Sequence, residues 1–198
     1  NAIADSECWF RGWKSAGIAQ LAGDRSNWLN MEIRYLTSED AGQWLRLRLE
    51  ALQGDPEAFS ASFEEYQLLS LEEVRKRLGF DAKDAFVVGA FEDGQLRGCA
   101  GFHRDKGLKS RHKGHVWGVY VTPEKRGAGI GKRIMGMLLE RAGSLDGVEQ
   151  ILLSVTATQA AAICLYRSLG FTSFGLEPRA LKIGDRFIDE EYMALRVR

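Results

Sequence analysis

The stretch Arg126-Gly127-Ala128-Gly129-Ile130-Gly131-Lys132 is where this chain is best equipped to hold a ligand. Glycines let the main chain come close to a bound group. At the start of a helix, unpaired N–H groups and the positive end of the helix dipole attract phosphate. Two common phosphate motifs are excluded by spacing. A P-loop requires G-x-x-x-x-G-K-[ST], yet Gly131-Lys132 is followed by Arg133 and Arg126 stands five positions before Gly131. A dinucleotide fingerprint G-x-G-x-x-G would need glycine at Lys132 or at Ile134. A plain glycine turn stays open, although three glycines and an arginine in six residues exceed what a turn needs.

Other residues stand out by type and position. Tyr166 shares a helical face with Gln159 and Ala162 by the i, i+3, i+7 rule. His103 and His115 lie on strand-like runs, where a surface or hydrogen-bonded role is the plainer reading. Glu64 and Glu65 follow the aromatic Phe59 and Phe63, as an acceptor pocket or as a solvated loop face. Asp189, Glu190 and Glu191 interrupt an apolar run and form either an acidic site for a cationic amine or an exposed edge. The basic segment KGLKSRHK at residues 106–113 reads as an anion site or, more simply, a solvated hairpin tip.

The elements that must position these groups follow from periodicity. Strand-like text begins at Met31, after which Thr37 or Ser38 can cap a helix with Glu39 and Asp40 in its first turn. Leu45, Leu49 and Leu52 predict its buried face, and Gly54-Asp55-Pro56 its end. Ser70-Leu71-Glu72-Glu73 is a capping box for a second helix with Val74 and Leu78 inward. Glu92-Asp93-Gly94-Gln95 joins two β-like runs as a hairpin turn that needs positive φ, and a third run from His115 closes at Thr122-Pro123. Helical spacing then places Ile130, Ile134, Met137 and Leu138 on one face as far as Gly143. A buried strand at residues 150–155, a helix at 160–169 and strands at 171–174 and 187–197 complete the order β-α-α-β-β-β-α-β-α-β-β, a mixed-sheet α/β domain.

Composition narrows the partners. Lysine plus arginine equals aspartate plus glutamate at 27 each, so nothing in the charge balance points to nucleic acid. No apolar run approaches the roughly 18 residues of a membrane span. Cys8, Cys99 and Cys164 are scattered, match no metal-ligand spacing and argue against a disulfide framework, which implies a reducing, cytoplasmic setting. Cys99 and Cys164 read as small buried hydrophobes. Residues 1–30 hold Trp9, Trp13 and Trp28 without a sustained period, and Asp5, Glu7, Arg11 and Lys14 break any signal-peptide core. They read as an extension outside a domain running from residue 31 to 198, or as an arm that docks on a partner.

The run Val119-Tyr120-Val121-Thr122-Pro123-Glu124-Lys125-Arg126-Gly127-Ala128-Gly129-Ile130-Gly131 resembles the acyl-CoA signature of the GNAT superfamily of N-acetyltransferases. Its pattern [RQ]-x-x-G-x-[GA] is matched by Arg126, Gly129 and Gly131, after a strand ending V-x-P. Downstream, Leu165-Tyr166-Arg167-Ser168-Leu169-Gly170-Phe171 resembles the family's L-Y-x-x-x-G-F element. The resemblance spans residues 31–198. It implies a mixed, mostly antiparallel central sheet flanked by helices and splayed at the acyl-CoA site. It further implies that the amides of Arg126, Gly127, Ala128, Gly129, Ile130, Gly131 and Lys132 hold the CoA pyrophosphate. Val119, Tyr120 and Val121 would pair with the pantetheine arm, and Gln159 and Ala162 would face the cofactor, although the family commonly has asparagine at the Gln159 position.

The activity so implied is acetyl transfer from acetyl-CoA to a primary amine of a small molecule, amino acid or peptide, with no metal. A backbone N–H of the Val119–Val121 strand would hold the oxyanion, and Tyr166 would return a proton to the departing thiolate. No base is legible in the sequence. A catalytically weak acyl-CoA-binding module is the alternative reading, and an interaction protein using residues 1–30 a third. Sheet edges near the C-terminus are compatible with a homodimer.

Overall fold

The structure is a computed structural model that describes residues 31–78 and 83–197; residues 1–30, with their tryptophans and Cys8, lie outside the described residues. Seven strands make one sheet: β1 (Met31–Tyr35), β2 (Ala85–Glu92), β3 (Gln95–Arg104), β4 (Lys113–Val121), β5 (Gln150–Thr156), β6 (Thr172–Ile183) and β7 (Arg186–Arg196), in the order β1-β2-β3-β4-β5-β7-β6. Every neighbouring pair is antiparallel except β4 and β5. The helices are α1 (Ala41–Gly54), α2 (Phe63–Tyr66), α3 (Leu71–Leu78), α4 (Ile130–Ser144) and α5 (Ala160–Ser168).

The sheet separates two cores. On one face, α4 and α5 cover a cluster that includes Val88, Phe102, Ile134, Leu138, Ile151 and Met193. On the other, α1 and α3 bury Trp44, Leu47, Val74 and Leu78 against Val87, Phe91 and Leu96. The β2–β3 turn has φ of 49° at Asp93 and 74° at Gly94, the two positive values that the Asp-Gly pair implied. The Ser70 capping box forms as read: the Glu73 amide donates to Ser70 Oγ at 3.3 Å, while Glu73 Oε2 accepts from the Ser70 amide at 2.8 Å.

Four expectations need correction. The buried stripe of α1 is Ala41, Trp44, Leu47, Ala51 and Leu52, so Leu45 and Leu49 sit at its flanks; the bulky indole, which the leucine spacing ignored, sets the inward direction. Met135 rather than Met137 is fully buried on α4. Cys164 is exposed on α5, while Cys99 is buried as expected. Finally, β6 runs twelve residues, far beyond residue 174. As the outer strand it has no fully buried face, so no alternation of period two is imposed on its sequence.

The turn from β1 into α1 is held by a buried carboxylate. Between β1 and α1, Asp40 is 6% exposed and takes two bonds from the Arg34 guanidinium, at 2.7 and 2.8 Å, and one from the Thr37 amide at 2.9 Å. The Arg34 hydrogen bonds hold the Asp40 carboxyl below its ordinary pKa, against the opposing effect of burial. A depressed carboxylate contributes stability above its unfolded pKa of about 4 and loses it as pH falls through the lower folded value. Asp40→Asn is therefore expected to lose about 2 kcal/mol at pH 7. Its denaturation midpoint should also fall less steeply than the wild type's below pH 4, which chemical denaturation at several pH values measures.

Candidate functional site

The local sequence of β4 opens the sheet. Cys99 pairs with Tyr120 and Gly101 with Trp117, so Gly118 and Val119 together stand opposite Ala100. That extra residue is a β-bulge, and Gly118 takes φ of +61°, where a side chain would be strained. A bulge bends its strand and sharpens its twist. On the other edge, β4 pairs with β5 only at Lys113–Gln150, Gly114–Ile151 and His115–Leu152. Beyond these three pairs the strands part, leaving the facing main-chain groups of residues 116–121 and 153–156 without a ladder between them. β5 itself stays fully paired to β7. The result is a fork.

A cavity of about 440 Å³ occupies the fork. Its wall joins β4 from Val116 to Val121, the glycine loop, Leu153, Ser154 and Val155 of β5, and one face of α5. Of the residues singled out in the sequence, Val119, Tyr120, Val121, Arg126, Gly127, Gly129, Ile130, Gly131, Lys132, Gln159, Ala162 and Tyr166 all line it. Ala128 is exposed between two loop glycines and does not.

The glycine loop meets this cavity as a helix start. Gly129 is the N-cap of α4 with φ of +75°. The Arg133 amide is bonded back to the Gly129 carbonyl at 3.2 Å, so the amides of Gly129, Ile130 and Gly131 have no acceptor within the helix. The first turn of α4 contains no acid and instead carries Lys132 and Arg133. Positive side chains at the positive end of a helix are unfavourable for the helix alone and favourable once an anion sits there. The residues present thus fit a phosphate-bearing group.

Arg126 braces the loop: its Nε donates to the Val121 carbonyl at 2.9 Å and its Nη2 is ion-paired with Asp55, just past α1. Tyr120 crosses from β4 to α1, donating its hydroxyl to Glu50 at 3.1 Å. Burial, followed by the neighbouring Glu50 carboxylate, pushes the Tyr120 phenol up to about 12. Tyr166 is 6% exposed, lies against Phe171, and is pushed well above the usual phenol range by burial.

The other candidate residues divide. Glu65 is spent capping Ser62 and Glu64 is exposed, so neither reaches the wall. Asp189 accepts from the Arg179 amide and Glu191 pairs with Arg167. Glu190, on the opposite face of β7, accepts a hydrogen bond from Ser154, which lines the cavity; burial raises its pKa, that bond opposes the rise, and Glu177 adds to it. His103 and His115 stack at 5.1 Å, with His115 Nε2 3.1 Å from Asp105, away from the cavity wall. Sequence reasoning missed Asp55 and Ala58, which line the wall together with Phe59, the aromatic it had set beside a pocket, and Pro56–Ala58 packs against β5. The Gly54-Asp55-Pro56 signal marked only the end of a helix.

Comparison with known proteins agrees with this geometry. The acetyltransferase (GNAT) family model matches residues 44–171. The mycothiol acetyltransferase of Streptomyces griseus subsp. griseus is 29% identical over 134 residues, 68% of this chain and 40% of that protein. The chain spans less than half the length of the curated relatives it matches. Among solved structures, the acetyltransferase of the GNAT family from Streptococcus pneumoniae superposes with a TM-score of 0.76 at 23% identity, covering 85% of this chain and 99% of that one. Salmonella typhimurium yncA, solved with its cofactor acetyl-CoA, gives 0.74 at 22% identity over 85% of this chain and 95% of that one. Among the described residues no helix is long and apolar enough to cross a membrane.

The Arg126 brace can be tested apart from any activity. In Arg126→Met, hydrogen exchange at the bonded amides on either side of the loop, Lys125 to the Thr122 carbonyl and Arg133 to the Gly129 carbonyl, should quicken about tenfold or more. Global stability should change by less than about 1 kcal/mol, because the ion pair is partly exposed.

Proposed function

The chain belongs to the GNAT family of acetyltransferases, and from that premise we propose that it moves an acetyl group from acetyl-CoA directly to a primary amine, through a catalytic unit spanning residues 31–198. The observation that carries this reading is the fork between β4 and β5, which opens onto the start of α4 at one end and onto Tyr166 along its side. The amides of Gly129, Ile130 and Gly131, with Lys132 and Arg133 beside them, suit the pyrophosphate. The parted edge of Val119, Tyr120 and Val121 offers main-chain groups to the pantetheine arm, and Gln159 and Ala162 close the slot from α5. When bound, acetyl-CoA supplies the activated thioester. A β4 amide in the fork then faces the carbonyl oxygen as its charge grows, a role worth several kcal/mol where water is excluded.

Tyr166 holds the proton that the leaving sulfur needs. Its raised pKa keeps the phenol protonated through neutral pH, but also makes it the weaker acid. The same burial acts on a thiol in this protein: Cys99 is pushed up to about 12, mainly by desolvation. A thiolate left beside Tyr166 would be desolvated as well, which raises its proton affinity in the same direction as that of the phenol.

For the amine's proton, Glu190 is the base, working through the Ser154 hydroxyl on the cavity wall. A carboxylate raised by burial is better suited to take a proton near neutral pH than an ordinary one. The free thiols of Cys99 and Cys164 support a reducing, cytoplasmic setting.

Thiol release from acetyl-CoA, measured across small amines, amino acids and peptides, tests the whole reading. Binding without consumption by any acceptor would leave only an acyl-CoA-binding module. Tyr166→Phe should lower kcat by about 100-fold or more with little change in acetyl-CoA affinity by calorimetry; full turnover in this variant removes Tyr166 from the mechanism. In the wild type, kcat should rise with pH through the elevated pKa of Glu190, since only the unprotonated carboxylate accepts. In Glu190→Gln that limb should vanish and kcat should drop about 100-fold.

A further inference from the structure

On the face of the sheet opposite α4 and α5, Trp44 and Arg48 stand four residues apart on α1 and therefore one above the other. Trp44 is 3% exposed, and its indole N–H has only the Cys99 sulfur, a weak acceptor, beside it. The Nε and Nη1 groups of Arg48 are buried without a partner, although the guanidinium also meets the Tyr66 hydroxyl. The guanidinium lies between two rings, 4.4 Å from the Phe59 centroid and 5.1 Å from that of Tyr66. Both residues act on the buried Cys99 thiol, so their polar groups converge on one spot.

Several arginines meet carboxylates, namely Arg34 with Asp40, Arg126 with Asp55, Arg167 with Glu191 and Arg186 with Glu57, while Arg141 stacks on rings as Arg48 does. Arg48 has no such ion pair among the described residues, and desolvation pulls its pKa down, against the influence of Tyr66 and Cys99. An indole N–H and a guanidinium can only donate, and the acceptors beside them, the Cys99 sulfur and the Tyr66 hydroxyl, are neutral, so neither balances the charge. A buried charge left in this condition is costly unless an acceptor of opposite sign arrives.

The cavity supplies a path for that acceptor. Phe59, Trp117 and Gly118 line its wall, and Arg48 Nη1 stands 3.8 Å from the place where a Cβ on Gly118 would be. A Cβ at the bulge would meet nothing within 4 Å except Arg48 Nη1, so the missing side chain leaves a route toward the guanidinium, whose Nε and Nη1 groups are themselves covered. The glycine loop and Tyr166 belong to the opposite face, so an anion here belongs to the second substrate rather than to the acyl donor.

We propose that Arg48, backed by the Trp44 indole, binds a carboxylate of the acceptor by the Gly118 route, which makes amino acids the acceptor class. This rests on the acetyl-transfer reading above. The test compares each amino acid with its carboxamide and its decarboxylated amine, in wild type, Arg48→Lys and Arg48→Met, with folding checked by circular dichroism and melting.

Wild type should prefer the carboxylate by about 100-fold in kcat/KM, chiefly through KM. This ratio should shrink to below about fivefold in Arg48→Met and recover in part in Arg48→Lys, which keeps the charge but loses the planar fork. A purely structural role would depress all three substrates alike and preserve the ratio, which overturns the proposal. So does a wild-type enzyme that acetylates amines with no preference for a carboxylate, while acetyl transfer itself stands. If no amine is acetylated, the transfer reading fails, and calorimetry with N-acetyl amino acids against their amides decides the Arg48 site separately. Tighter binding of the acid, lost in Arg48→Met, supports it, and equal binding refutes it.

Discussion

Three residue pairs hold β4 to β5, and the sheet's shape follows from the fact that there are only three. Main-chain groups at a buried strand edge ordinarily demand partners, because an unmet N–H or C=O away from water costs as much as a lost hydrogen bond. Here the bulge at Gly118 turns β4 away before the demand can be met by β5. What would be a defect in a closed sheet becomes a slot lined by oriented donors and acceptors. The slot survives because both strands are secured elsewhere, β4 by β3 and β5 by β7. Two packed cores, one on each face, keep the arms of the fork from closing.

The fold was legible where local chemistry was strong. The Asp93-Gly94 turn, the Ser70 capping box and the change to helical spacing after Gly129 each follow from backbone rules that act over a few residues, and each appears where the text puts it. Long-range features were less so. Nothing in the residues of β6 betrays a twelve-residue strand, because its outer position imposes no burial pattern and its register breaks near Ser173 and between Glu177 and Leu181. Leu45 and Leu49 misled for a related reason: spacing gives the period of a helix, but the partner that it packs on decides which residues point inward.

The candidate site divides along the same line. Its glycine loop and α5 face are contiguous motifs, and eleven of the twelve loop, strand and α5 positions named as cofactor contacts, together with Tyr166, line one cavity. Asp55 and Phe59 come from the chain just after α1 and reach the fork only through tertiary packing, so no spacing rule could join them to Gly118. Glu190 stood out as a charge in an apolar strand, but only the β5–β7 pairing brings it to Ser154 and separates it from Asp189 and Glu191, which are occupied by other partners.

Arg126 touches both ends of this arrangement at once, gripping the Val121 carbonyl beside the glycine loop and the carboxylate of Asp55 next to the Pro56–Ala58 turn. A group that draws Arg126 toward the loop loosens Asp55, and one that presses on Asp55 repositions Arg126. Linkage requires such coupling to be reciprocal, with each occupant altering the other's affinity by the same factor. The two halves of the cavity are therefore not independent compartments: through a single guanidinium, what fills one is felt by the other.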